Sequence, residues 1–170
     1  MSRPERNEYA EFYEGYVSLV TEDDIAAVLA EQPAAMRSAL ASINDDHGAY
    51  AYDDDKWSIK EVIGHMIDGE RVFGYRLHRI SRGDKTPLSG FEQEPYVELG
   101  RANDRPLEEL FEEFELLRKA NVLMLNRFSD DQWTFRGTAS DAEVSVRALA
   151  FIMAGHARHH INILRERYLA

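Results

Sequence analysis

The chain has 170 residues, of which 44% are apolar, none is cysteine, and the net charge is −11. That length and composition suit one globular domain with a sizeable core, not a disordered chain. The acidic balance argues against nucleic-acid or anionic-membrane binding, which needs Lys/Arg patches, and the lack of cysteine rules out disulfides, thiolate ligands and a cysteine nucleophile.

Residues 1–20 are rich in aromatics (Tyr9, Phe12, Tyr13, Tyr16) and read as an extension ahead of a domain at 21–170, suited to a short extra helix or to packing on a partner. They lack the apolar run of a signal peptide, and no stretch of the chain is apolar for 18 residues, so a cytoplasmic protein is expected. Thr21-Glu-Asp-Asp24 has the spacing of a capping box and predicts a first helix to about residue 42, with Pro33 as the point where it breaks or kinks. Residues 44–56 are polar and acidic, a loop; the run Asp53-Asp-Asp55 lacks the glycine and glutamate of a calcium loop. Ser58-Ile-Lys-Glu61 is a second capping box with Trp57 placed as its staple. The second helix then runs to about residue 80, with Ile59, Val62, Ile63, Met66, Phe73 and Leu77 on its apolar line.

Residues 82–105 contain Gly83, Pro87, Gly90, Pro95 and Gly100 and predict a long crossover loop with one short turn. Pro106 suits the first position of a third helix. That helix turns Leu107, Leu110, Phe111, Phe114, Leu117, Met124 and Leu125 inward and ends near residue 128. Residues 129–143 read as a second irregular connection, and a fourth helix is expected over 144–168. Four long helices and one long crossover predict an all-α protein, a four-helix bundle.

The fourth helix carries the clearest chemistry. Leu149, Ile152, Met153, His156, His160, Ile163 and Leu164 fall within roughly a third of a turn. Two imidazoles one turn apart on an apolar line point at a common object, and a divalent metal is the simplest. A further ligand has to come from a facing helix. His47, His65, His78, His159 and the carboxylates are candidates; His65, at the edge of the second helix's stripe, is best placed to reach a neighbour. Three histidines leave a coordination position open, as catalytic sites do, and nitrogen donors favour Zn or Ni, with Fe, Co and Mn as alternatives. Gly64, Gly69 and Gly155 lie beside these histidines and leave room for a metal or for close helix packing. Other templates fail, because residue 157 is Ala where a zincin needs Glu, and no histidine has Glu three residues before it.

Glu70 falls on the inward line of the second helix, where a carboxylate needs a partner. It could orient a ligating imidazole, act as a base or pair with an arginine. His159 lies off the apolar stripe, as a pocket or surface residue. Asp68 projects to the solvated side, and Tyr50, Tyr52 and Trp57 are placed to line the mouth of the site.

Several segments resemble the DinB/YfiT-like metalloprotein superfamily, in its DinB-like branch. They are Lys56-Trp-Ser-Ile-Lys-Glu-Val-Ile-Gly-His65, Gly83-Asp-Lys-Thr-Pro-Leu-Ser-Gly-Phe91, Gly137-Thr-Ala with Val144-Ser-Val-Arg-Ala-Leu-Ala150, and Gly155-His-Ala-Arg-His-His160. Gly69 departs from the pattern, since similar sequences carry a larger residue there. The resemblance implies up-down-down-up connections, a homodimer, and metal ligands at His65, His156 and His160. It also implies chemistry on a small-molecule substrate, by transfer of a low-molecular-weight thiol or by hydrolysis. The expectation is therefore a metal-dependent enzyme holding one divalent transition metal, Zn or Ni, with Glu70 and His159 as catalytic candidates and no nucleic-acid or membrane partner. The competing expectation is a non-catalytic metal- or ligand-binding stress-response protein.

Overall fold

The computed structural model describes residues 2–169. Residues 6–8 and 11–13 form 3-10 turns, and α1 (Glu14–Val17) is a single helical turn. Helix α2 spans Ile25–Ala39. Asp24, not Thr21, caps it by accepting from the Ala27 amide (3.1 Å), so it starts later and ends earlier than the sequence suggests. Pro33 neither breaks nor ends α2. It offers no N–H to the Leu29 carbonyl one turn back, and Nη1 of Arg118 donates to that carbonyl instead (3.3 Å).

A short helix, α3 (Asp45–Gly48), interrupts the acidic loop. Helix α4 (Ile59–Ser81) begins on the expected box: Ser58 Oγ accepts from the Glu61 amide and Glu61 accepts from the Ser58 amide, at 3.1 and 2.8 Å. The crossover holds more than one turn, because α5 spans Gln93–Gly100. Helix α6 (Leu107–Leu125) is preceded by Pro106 as its cap residue, and Asp45 accepts from the first amide at 2.6 Å. The second connection is ordered structure: α7 (Asp130–Thr134), then β1 (Arg136–Ala139) paired antiparallel with β2 (Ala142–Ser145). Ser140 and Asp141 form the hairpin turn with φ of 52° and 59°, the left-handed geometry that matches strand twist. Helix α8 therefore begins later than expected, at Val146, runs to Ile163, and closes in a π-helical turn at Leu164–Tyr168.

Contacts along the helices fix their directions. On α4 and α6 the pairs Glu70–Arg118 and Gly74–Asn121 advance together, so the helices are parallel, and the crossover returns the chain to Gly64 at Ala102. On α2 and α6, Leu29 meets Arg118 while Arg37 meets Glu108, so those two are antiparallel. On α4 and α8, Trp57 meets Tyr168 and Ile80 meets Gly137 just before α8, again antiparallel. The result is an up-down-down-up four-helix bundle. No helix among the described residues is long and apolar enough to cross a membrane.

Apolar burial falls into two clusters. One joins Tyr13, Val17 and Val20 to Phe73, Leu77 and the first half of α8; the other joins Ile59–Ile67 of α4 to α6 and the end of α8. Polar clamps brace the amino-terminal segment internally and against the start of α8. Arg3 donates to the Val17 and Val20 carbonyls (2.8 and 2.7 Å), and Glu8 accepts from Ser145 (2.6 Å) and Arg147. Burial pushes the Glu8 carboxyl up, but the Arg147 and Ser145 hydrogen bonds outweigh it and bring it down to about 2.

The closest approach of this segment is at Gly155, where a Cβ would stand 2.1 Å from the Tyr16 carbonyl oxygen. Gly155→Ala should force α1 off α8 and cost about 3 kcal/mol in urea unfolding. Gly15→Ala, with nothing within 4 Å of the added carbon, should hold or slightly raise the unfolding midpoint.

Candidate metal centre

The helical repeat stacks His156 and His160 one turn apart on α8, and the antiparallel α4 brings His65 against them. Ring centroids lie 4.5 Å apart for His156–His160, 4.9 Å for His65–His156 and 4.8 Å for His65–His160. The Nε2 atoms of His65 and His156 are 2.9 Å apart. One nitrogen from each of the three rings lies within 4.8 Å of the others. All three residues are buried, and Nδ1 of His65 and Nε2 of His160 have no hydrogen-bond partner among the described residues. A buried polar atom left unpaired costs about 1–3 kcal/mol, and two in one cluster call for a bound partner. Three imidazole donors fit a divalent transition metal.

The local field keeps these rings neutral, the form that ligates. Burial pushes His65 down to about 4 against a partial upward pull from Glu94. Burial and the neighbouring His65 and His159 push His160 down to about 3. His156 is driven well below its ordinary range by burial and then by its neighbouring imidazoles.

Of the three glycines singled out, Gly69 serves the cluster: a Cβ there would lie 2.8 Å from Cε1 of His156, so the missing side chain lets the ring rest on α4. Gly64 instead admits Ala102, and Gly155 admits Tyr16.

His159 is half-buried beside the cluster, its ring 5.1 Å from His160 and 5.4 Å from Tyr16. His47 and His78 are exposed and stay outside the cluster. Glu70 is buried, and its hydrogen bonds go to Arg118 (2.5 and 2.9 Å) and Asn121 (3.1 Å), not to an imidazole. Asp68 is half-buried, not freely solvated, and burial raises its carboxyl.

Two clefts reach the cluster. One of about 460 Å³ opens on His65 and His156 between Phe12, Tyr13, Phe73 and Phe91. Another of about 250 Å³ opens on His160 between Tyr52, Trp57, Glu94 and Tyr168. Trp57 walls the site, with its ring 4.9 Å from His65 and its Nε1 donating to Glu94 (3.2 Å). Tyr50 packs on Tyr168 at 6.3 Å and lines neither cleft.

Sequence reasoning did not find Glu94, which sits in the crossover without a periodic signal. It also did not place Arg118 and Asn121. A signal existed for these two, since they follow Phe114 by four and seven residues on the inward line of α6.

Residues 29–164 match the DinB superfamily. A curated protein of Geobacillus thermodenitrificans (strain NG80-2), named "Putative metal-dependent hydrolase", is 26% identical over 146 residues, 83% of this chain and 82% of that protein. Among solved structures, YfiT from Bacillus subtilis matches with a TM-score of 0.73 at 17% identity, over 94% of this chain and 87% of its own. It is described as "a probable metal-dependent hydrolase with an unusual four-helix bundle topology". A mycothiol-dependent maleylpyruvate isomerase matches with a TM-score of 0.69 at 11% identity, over 86% of this chain and 61% of that one. At such identities the two structures bear on the fold alone, and they agree on a bundle.

Arg118→Ala would strand the Glu70 carboxylate in the core; a loss of about 3–5 kcal/mol is expected in chemical denaturation at neutral pH. The double variant Glu70→Met/Arg118→Met should recover most of it. The neutral imidazoles set a pH dependence for the metal-free protein. Their folded pKa values lie below the ordinary 6.5, so below pH 6.5 the unfolded chain binds more protons and stability falls with pH. Urea unfolding should show a loss of about 1.4 kcal/mol per pH unit for each titrating ring. The loss should already be evident between pH 6.5 and 5, above the range in which Glu8 and Glu22, both near 2 when folded, lose their contributions. A flat profile there would contradict burial of the three rings.

Proposed function

The chain belongs to the DinB superfamily, and we propose that it is a metal-dependent enzyme in which His65, His156 and His160 hold one divalent transition metal, Zn or Ni. The observation that carries this reading is the convergence of three buried imidazoles in which Nδ1 of His65 and Nε2 of His160 have no hydrogen-bond partner among the described residues. When bound, such a metal supplies Lewis acidity and makes a hydroxide or thiolate nucleophile available near neutral pH.

Hydrolysis of a small molecule is the first reading, supported by the relative's name and by the description of YfiT. The aromatic walls of the larger cleft would hold the substrate body and exclude water. Glu94, on the cleft at His160, is the group we assign to proton transfer, with His159 as a second acceptor one ring away. Glu70, engaged by Arg118 and Asn121, is assigned to holding the bundle. The second reading is transfer of a low-molecular-weight thiol, supported by the shared fold of the mycothiol-dependent isomerase. The thiol would come from outside, since the chain has no cysteine. A cytoplasmic homodimer remains part of the proposal.

Protein purified from cells supplied with Zn and Ni should carry about one transition metal per chain. His156→Ala, checked for fold by circular dichroism, should carry almost none. The metal-loaded protein is then assayed on panels of esters and amides and of thiols with electrophiles. Turnover should vanish in His156→Ala and fall by about 10²–10⁴ in Glu94→Gln, which keeps its metal. Wild-type protein without stoichiometric metal would overturn the proposal. Metal binding with no turnover in either panel would favour the non-catalytic reading.

A further inference from the structure

Three cationic side chains are buried among the described residues: Lys60, Arg76 and Arg118. Two have carboxylates within reach, Asp45 for Lys60 at 2.9 Å and Glu70 for Arg118 at 2.5 Å. Arg76 does not. Its guanidinium, in a residue 2% exposed, donates to the Ser89 carbonyl (2.9 Å), Ser140 Oγ (2.8 Å) and the Tyr13 hydroxyl (3.4 Å), all neutral. No carboxylate of the described residues pairs with it. Neutral acceptors satisfy N–H groups but leave the charge uncompensated, and an uncompensated buried charge is costly.

Its position adds a second reason. Arg76 lines both the cleft that opens on His65 and His156 and an adjoining cleft of about 540 Å³. The other two arginines of the adjoining cleft are already paired, Arg71 with Glu113 and Arg79 with Asp84. The acceptor Ser140 is held at φ 52°, a left-handed conformation that costs a non-glycine residue. The hairpin turn thus presents a hydroxyl to Arg76 while the acidic Asp141 beside it stays exposed.

We propose that Arg76 is the anion-recognition residue of the metal site, and that the substrate is an apolar or aromatic body ending in one carboxylate. The carboxylate would accept from Nη1 of Arg76, whose bond to the Tyr13 hydroxyl is long (3.4 Å), the body would lie along Phe12, Phe73 and Phe91, and the reacting end would face the histidines. A single negative charge fits better than a phosphate dianion, because the neighbouring arginines have their partners. Arg76 follows His65 by eleven residues, roughly 16 Å along α4 at 1.5 Å per residue. That separation makes the carboxylate the end of the substrate remote from the reaction. The assignment to substrate rests on the metal-site reading; binding at Arg76 does not.

The probe is 4-phenylbutyrate, compared with its neutral isostere 4-phenylbutyramide by calorimetry on metal-stripped and metal-loaded wild-type protein. The carboxylate should bind about tenfold more tightly in both states. Arg76→Gln should abolish the difference and Arg76→Lys should keep part of it, each checked by circular dichroism. Should Arg76→Gln not fold, wild-type crystals soaked with 4-(4-bromophenyl)butyrate, located by bromine anomalous signal, should show the carboxylate on the Arg76 guanidinium. Equal affinities, no carboxylate binding at millimolar concentration, or density elsewhere would overturn the proposal. A preference that appears only with metal and survives Arg76→Gln would overturn it too, while leaving the metal centre standing. A preference lost in Arg76→Gln, from wild-type protein that binds no metal, would support Arg76 and sink the metal reading alone.

Discussion

A single guanidinium in the middle of the bundle joins its own helix to two others directly and to the fourth through one intermediary. Arg118 of α6 pairs with Glu70 of α4 and donates to the Gln32 side chain and the Leu29 carbonyl of α2. Gln32 in turn donates to the Ala154 carbonyl of α8 at 2.7 Å. Apolar burial is non-directional; a buried charge with named acceptors is not, because each displaced donor strands a partner in a low-dielectric interior. The network therefore acts as a register pin. His65 lies five residues before Glu70, and His156 two residues after Ala154. The register that satisfies Arg118 is the one that brings the imidazoles together.

Burial follows the same layout. The two apolar clusters part where α4 passes Glu70 and α8 passes His156, so the polar residues form a seam across the molecule with packed hydrocarbon above and below. Such a seam contributes less stability than hydrocarbon of equal volume, and the capping boxes and clamps elsewhere offset part of that cost. It also holds the rings rigidly: His156 is wedged between the bare backbone at Gly69 and the rings of Tyr16 and Phe73.

Helices hold the histidines, but the connections build the space around them. The larger cleft takes its walls from the amino-terminal segment, from the crossover at Phe91 and from the hairpin turn at Ser140. The smaller one takes Glu94 from α5 and Tyr52 from the acidic loop. The bundle is thus a rigid frame, with selectivity assigned to segments that can vary without disturbing the Arg118 network.

Local physics made much of this readable from residues alone. A capping box is a four-residue device, and Ser58 with Glu61 announced α4 to the residue. The 3.6-residue repeat placed His156 and His160 on one line and Glu70 on an inward face whatever the helices packed against. Tertiary structure decided the rest. That Glu70 would meet Arg118, 48 residues away, and that Pro33 would be tolerated because the same arginine answers its orphaned carbonyl, depend on how two helices cross. Glu94 against Trp57 and Ser140 against Arg76 depend on where loops land. Periodicity is a property of neighbours three or four residues apart, whereas these contacts join segments whose separation along the chain says nothing about their distance in space.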